Sequence, residues 1–267
     1  GAYMSERIQL RIDNHVATVR MARPEKRNAL DAEMFEALIG TGERIIADKS
    51  VRAVVLHGEG KAFCAGLDFG SFMGSPDLMQ KLLSRSEESP ANMAQRAGWI
   101  WQEVQVPVIA AIHGFAFGGG LQIALGADLR YVTADSQFSV MEIKWGLIPD
   151  MSITQTMLEL VPLDVAKDLT FTGRIISGTE ALSLGLATKV SDDPLADALE
   201  TAKLIATKSP HAIRAGKALL RDAPKMSRAD ALKLETALQV SLLGSPNQME
   251  AVQANMTKRD PDFKDPE

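Results

Sequence analysis

The sequence predicts an α/β protein in which strands and helices alternate to about residue 192 and helices alone follow. Three observations carry this expectation. Compact apolar runs ending in glycine, VRAVVLHG (51–58) and VPVIAAIHG (106–114), have the length and β-branched content of buried strands. Amphipathic stretches at helical spacing separate such runs. From about Leu195 onward Ala, Leu, Lys and Met recur at helical spacing, with one break at GSPN (244–247).

In chain order, Gly1, Ala2 and Tyr3 precede Met4 and are set outside the fold. IQLRIDNHVATVRMA (8–22) alternates apolar and polar residues on both sides of Asp13–Asn14, the pattern of a hairpin turning there. ALDAEMFEALIGTGERIIAD (29–48) is amphipathic, and Asp31 is placed to cap it. The strand at 51–58 follows. A helix carrying Trp99 and Trp101, both assigned to the core ahead of an acyl pocket, leads to the strand at 106–112. Three glycines, Gly118 to Gly120, then open a helix, and ADLRYVTADSQFSV (127–140) supplies two more short strands. No repeat or low-complexity tract interrupts the chain. The division is a core over residues 4–192 and a helical region over 193–267.

Composition limits the function. With 267 residues, 46% hydrophobic and mean hydropathy −0.02, the chain can bury one large core. A net charge of −5 with scattered Lys and Arg gives no electrostatic footprint for nucleic acid. The longest apolar run, 106–112, is far short of a membrane span, and no signal peptide is visible near Met4. One cysteine, Cys64, excludes an intrachain disulfide and a thiolate metal cluster and suits a reducing, cytoplasmic setting.

The three glycines admit two readings. Glycine costs about 1 kcal/mol per helical position relative to alanine, so something requires it. One reading is close packing against a neighbouring strand. The other is an anion cradle, because N–H groups at a helix start have no intrahelical acceptor and sit at the positive end of the helix dipole. A dinucleotide fingerprint is excluded by the spacing of GFAFGGG. A second glycine-bearing stretch, GKAFCAGLDF (60–69), also follows an apolar strand and precedes a helix.

These two stretches, with RPEKRNAL (23–30) and FSVMEIKWGLIPD (138–150), resemble the crotonase family, also called the enoyl-CoA hydratase/isomerase family. FTGRIISGTEALSLGLATKV (171–190) and KRDPDFKD (258–265) extend the likeness over nearly the whole chain. The resemblance implies a spiral of strand, strand and helix turns forming the catalytic core. It further implies C-terminal helices that assemble trimers or hexamers, and an acyl-CoA thioester as substrate. No resident cofactor or metal is expected, since coenzyme A enters as part of the thioester. By the same resemblance the backbone N–H groups of Leu67 and Gly119 form the oxyanion hole. The backbone from Ala65 through Gly66 to Asp68 holds the adenine, Ala29 of the RNAL strand end lines the pantetheine arm, and Phe69, Gly118 and Gln122 complete the substrate-binding set.

The acids decide the chemistry. Family hydratases carry glutamates at the positions of Gln122 and Glu142, and this chain keeps only Glu142. An amide does not shuttle protons at neutral pH, so Gln122 is left to orient a water or a carbonyl. Asp150, eight residues after Glu142, resembles the second acid of dienoyl-CoA isomerases and of 3-hydroxyisobutyryl-CoA hydrolases. It also matches the nucleophile of chlorobenzoyl-CoA dehalogenases, which have tryptophan in place of Glu142. Asp150 equally stands where an Asp caps a helix beginning near Met151.

The expectation is double-bond isomerisation of enoyl- or dienoyl-CoA, with Glu142 and Asp150 as catalytic acid/base groups. Hydration (a lyase activity), thioester hydrolysis and acyl-CoA binding without turnover are the alternatives. His113 is read as a hydrogen-bonded structural residue and Cys64 as a buried filler. Met73, Met79 and Met93 are placed near the acyl pocket, and SRSEESPANM (84–93) as a mobile loop at its mouth. The apolar spacing of ADALKLETALQVSLLG (229–244) exceeds what one helix needs to pack on its own core.

Overall fold

The computed structural model describes residues 2–267. The chain opens with strands β1 (Ala2–Met4), β2 (Ile8–Asp13) and β3 (Val16–Met21), then α1 (Ala32–Ala47) and β4 (Ala53–Gly58). Helices α2 (Phe69–Phe72), α3 (Pro76–Leu83) and α4 (Met93–Glu103) lead to β5 (Val108–Ile112), β6 (Phe115–Phe117) and α5 (Gly119–Gly126). Next come β7 (Leu129–Val132), β8 (Gln137–Ser139), α6 (Ile153–Thr156), α7 (Leu163–Thr172), β9 (Ile176–Ser177), α8 (Gly178–Leu184) and β10 (Lys189–Val190). The last elements are α9 (Pro194–Ala206), α10 (Pro210–Asp222), α11 (Arg228–Leu242) and α12 (Pro246–Met256).

The first sheet has seven strands in the order β1-β2-β3-β4-β5-β7-β10, antiparallel through β3 and parallel from β3 onward. The second has three, β6-β8-β9, and a bridge between Cys64 and Ala116 extends it. From β5 to β8 consecutive strands therefore alternate between sheets. At Gly114 the chain leaves β5 for β6 with φ +67°, and a Cβ there would lie 1.9 Å from the Lys61 carbonyl oxygen. Only glycine fits that corner. β7 and β8 likewise fall in different sheets, so each turn of the chain adds a strand to both layers before a helix, which is the expected spiral.

Two expectations move. The hairpin turns at Asn14–His15, both with positive φ, because Asp13 still pairs with Val16 and a two-residue loop of this kind needs left-handed backbone at both positions. Ala2 and Tyr3, set outside the fold, form β1 opposite Arg11 and Leu10.

All five residues of β5 are buried, as a central parallel strand requires. One face of the first sheet packs against α1, α4 and α5, with Phe35, Leu38, Ile100 and Trp101 in the core. Trp101 is fully buried and donates through Nε1 to the Ala97 carbonyl, whereas Trp99 is only half-buried. α9 covers the other face with Ala198, Ala202 and Ala206 against Ala53, Val55, Ile109 and Ala111. The division at residues 192 and 193 thus separates strands from helices, while α9 still closes the core. Among the described residues no helix is long and apolar enough to cross a membrane.

Candidate active site

The site begins where RNAL meets GKAFCAGLDF. Arg27 and Asn28 have positive φ, and the buried Asn28 side chain ties the turn down. Its Oδ1 accepts from the Arg23 N–H at 2.9 Å, and its Nδ2 donates to the carbonyls of Glu59, Ala62 and Phe63 at 3.0–3.2 Å. Leu30 then donates to the Gly66 carbonyl (2.8 Å) and accepts from the Asp68 N–H (3.0 Å). In this parallel bridge Leu30 uses the groups on either side of Leu67, so the Leu67 N–H is turned away from Leu30.

Gly66 has φ +93°, and a Cβ on it would lie 2.7 Å from the Phe117 oxygen and 3.4 Å from the Gly119 nitrogen. The Leu67 segment is therefore pressed against the start of α5. Gly119 is the first residue of that helix, and its N–H has no acceptor within the helix. The two expected oxyanion donors come from these adjoining backbones.

The three glycines have three different reasons. Gly118, at φ 54° and ψ −119°, adopts backbone that side chains do not tolerate. A Cβ on Gly119 would meet Met151 Sδ at 2.9 Å and Leu30 Cδ1 at 3.0 Å, so here the bare backbone is required by packed side chains. A Cβ on Gly120 would lie 2.2 Å from the Cys64 oxygen, which is close packing against a neighbouring backbone.

Glu142 rides on a short 3-10 turn after β8. It overhangs the helix start, since a Cβ on Gly118 would lie 3.4 Å from its Oε1. Oε1 accepts from Gln122 Nε2 at 2.8 Å, while Oε2 is buried without a hydrogen-bond partner among the described residues. Burial pushes the Glu142 carboxyl above its ordinary pKa, bonds from its own N–H and from Gln122 oppose this, and the charge of Asp150 adds to the rise. Asp150 is exposed, yet protein atoms crowded around its carboxyl still raise its pKa. It caps nothing. α6 starts at Ile153, and its cap position is Ser152, held in left-handed backbone.

Gln122 differs from its expected role. It is 1% exposed, and its Oε1 accepts from the Met151 N–H at 2.7 Å while Nε2 serves Glu142. Both ends of the amide bind protein rather than standing free for substrate. Asp68 also works internally, capping α2 through Ser71 and pairing with Arg23 at 3.0 Å. Burial alone would raise its carboxyl, but Ser71 and Arg23 bring it below the ordinary value. Ala29 is half-buried, and its carbonyl accepts from Arg23 (2.9 Å); Ala65 is half-buried and donates to the Arg27 carbonyl (3.0 Å). Phe69 packs against Trp145 with ring centres 4.4 Å apart and the rings tilted by 32°.

Sequence reasoning missed Arg23, Asn28 and Trp145, although all three stand inside quoted motifs; what marks Arg23, its burial beside Asp31 and Asp68, arises only in the fold. His113 Nε2 bonds the Gly60 carbonyl, as its structural reading expects. Cys64 is fully buried, its thiol pushed up to about 12 by burial, which suits a filler. Met79 and Met93 pack against the core, while Met73 is exposed. The segment 84–93, expected to be mobile, is tied by a bridge between Arg85 and Asn92 and by the Asn92–Gln95 capping box of α4.

With this geometry in place, comparison with known proteins is direct. The sequence model of the family described as Enoyl-CoA hydratase/isomerase matches residues 11–266. The chain is 32% identical over 260 residues to the mitochondrial Delta(3,5)-Delta(2,4)-dienoyl-CoA isomerase of Mus musculus, covering 92% of this chain and 78% of that protein. It is 35% identical over 213 residues to the (E)-benzylidenesuccinyl-CoA hydratase of Thauera aromatica, covering 79% and 80%. A crystal structure of an enoyl-CoA hydratase from Bacillus anthracis superposes with a TM-score of 0.89 at 27% identity, covering 97% of this chain and 99% of that one. The spiral of two strand layers, the paired backbone segments before α5 and these matches together place the chain in the enoyl-CoA hydratase/isomerase family.

Proposed function

We propose that the protein isomerises double bonds of enoyl- or dienoyl-CoA thioesters, with Glu142 and Asp150 moving the protons. The observation that supports this most is the pair itself: a raised Glu142 carboxyl with one buried, unpartnered oxygen, and a raised Asp150 close enough to act on it electrostatically. The thioester oxygen is held by the N–H groups of Leu67 and Gly119, each such donor worth about 2.7 to 4 kcal/mol to a developing oxyanion. Glu142 as carboxylate takes the proton from the carbon beside the thioester, and that bond's electron pair passes to the enolate oxygen. As the enolate collapses, the double bonds shift toward the thioester and the far carbon takes a proton from Asp150. Glu142 ends protonated and Asp150 ionised, and exchange with solvent resets both.

Hydration is the second reading, favoured by the relative named a hydratase. Against it stands Gln122 at the position of the second family glutamate. Coenzyme A enters with the substrate. The 193–267 helices serve assembly in this reading, because α11 buries none of its residues within the protomer.

The test is Glu142→Gln assayed on 3-enoyl-, 3,5-dienoyl- and 2-enoyl-CoA. Turnover should fall by roughly 10² or more, the scale for a general base, with thioester binding kept. Asp150→Asn should abolish solvent deuterium uptake at the far carbon and spare it beside the thioester. Near wild-type turnover by Glu142→Gln would sink the assignment. Water addition to 2-enoyl-CoA without double-bond migration would favour hydration, and thiol release would mean hydrolysis. Sedimentation should report a trimer or hexamer, and a monomer at micromolar concentration would remove the assembly role.

A further inference from the structure

We propose that Gln122 is a positioning residue for proton transfer: it occupies one oxygen of Glu142, leaving the other to meet substrate, and with the same amide holds the backbone beside Asp150. This rests on the reading of Glu142 as the proton carrier.

Gln122 lies within α5, every residue of which is buried. The orientation of its amide is fixed by chemistry. The Met151 N–H can only donate, so it faces Oε1, and the Glu142 carboxylate can only accept, so it faces Nε2. Glu142 Oε1 is therefore occupied. Oε2, buried and without a partner among the described residues, is the acceptor left unused, and a buried acceptor without a bond is costly until something fills it. A proton taken from substrate goes there.

The other end of the amide reaches the second acid. The bond to the Met151 N–H pins the residue next to Asp150, Ser152 beyond it is held at φ 75°, and Met151 Sδ lies against Gly119. The segment from Asp150 to Ser152 thus takes its place from α5. The groups acting on Glu142 are few: its own N–H, neutral Gln122 from α5, and Asp150 from the following loop. Lys144 is on the same turn, with its ammonium over the Trp145 ring. A carboxylate at position 122 would put two anions where the structure has a 2.8 Å hydrogen bond. Such a pair shares one proton and holds it above the ordinary carboxylate range. The amide gives the same bonding pattern with no titration of its own.

The experiment compares Gln122→Leu and Gln122→Glu with wild type and Glu142→Gln, reading solvent deuterium uptake at both carbons of a 3,5-dienoyl-CoA across pH. Gln122→Leu should lower kcat at both carbons by about 10²-fold, the scale of a small misplacement of reacting groups, with KM little changed. Gln122→Glu should recover most of that loss at low pH, where the shared proton restores the amide's pattern. Its rate of exchange at the carbon beside the thioester should then fall as pH rises and both carboxyls ionise, an alkaline limb the wild type lacks at that carbon, since ionisation of Asp150 acts only on the far one.

A residue that only supports the fold would lower Tm without creating that limb. The proposal is overturned if Gln122→Leu keeps wild-type kcat at both carbons, or if the pH profile of Gln122→Glu superposes on wild type. Should Gln122→Leu fail to fold, the limb alone decides. If Glu142→Gln turns over normally, the underlying reading fails; if Glu142→Gln is inactive while both Gln122 variants match wild type, only the positioning role fails.

Discussion

Helices α5 and α11 are opposites. All eight residues of α5 are buried, and none of the fifteen in α11 is. α5 opens with Gly119 and Gly120, poor helix formers, whereas α11 is built largely from Ala, Leu, Lys and Glu, good ones. The helix with the weaker intrinsic preference is the one whose place is fixed, because surrounding backbone holds it rather than its own propensity. α11 leans mainly on α10 and the turn joining the two, and it carries Leu232 and Val240 into solvent, 54% and 63% exposed. The lesson is that tertiary contact builds the site, while local preference builds the face turned outward.

The largest effect that tests this contrast lies in α5. Gly120→Ala places a methyl against the Cys64 carbonyl, where backbone has to move, and should destabilise by about 3 kcal/mol in denaturant unfolding. Wild-type stability would break the claim that packing sets this helix.

The same substitution in the outer helices should have the opposite sign. A Cβ on Gly216, inside α10, meets nothing within 4 Å, so Gly216→Ala should stabilise by about 0.5 to 1 kcal/mol. A loss of stability there would mean that the face of α10 is covered in solution.

Smaller still is the expected effect on the protomer of charging α11. Leu232→Glu with Val240→Glu should change protomer unfolding by no more than about 0.5 kcal/mol each, while sedimentation shifts to smaller species. A large loss of protomer stability would show that α11 packs on its own chain.

The slightest effect concerns pH at the buried end of the contrast. Glu142 acts as carboxylate and its pKa is raised, so exchange beside the thioester should be lost as pH falls through a value above the ordinary one. Asp150→Asn removes the smaller of the two causes raising it, so the acid limb should move modestly toward lower pH. An unmoved limb would mean that burial alone sets the shift.

The sequence made plain what local chemistry decides. Asp31 does cap α1 through the Met34 N–H, the hairpin forms within the alternating stretch with its turn one residue later than expected, and the buried runs became β4 and β5. Strand partners were beyond it: nothing in ADLRYVTADSQFSV says that Leu129–Val132 and Gln137–Ser139 join different sheets, because parallel pairing is set by distant residues. Resemblance to the family's motifs brought out Glu142 and Asp150, and the glycine stretches were visible in the sequence itself. It did not reveal that Gln122 faces protein at both ends, that Asn28 binds three carbonyls, or that Gly120 answers to Cys64, since each depends on a neighbour far away in the chain.

The close approach of α4 and α5 adds a last consequence. A Cβ on Gly126 would lie 2.0 Å from the Gly98 oxygen, as one on Gly120 would against Cys64, so α5 is wedged at both ends and cannot slide along its axis. Its first N–H is as stationary as the sheet beneath it. Glu142 and Asp150, by contrast, bracket a surface segment whose residues from Ile143 to Ile148 are all exposed. In the proposed reading, acids on that lip can be exchanged without moving the α5 N–H that meets the thioester oxygen, so one scaffold can change its proton chemistry at its outer edge alone.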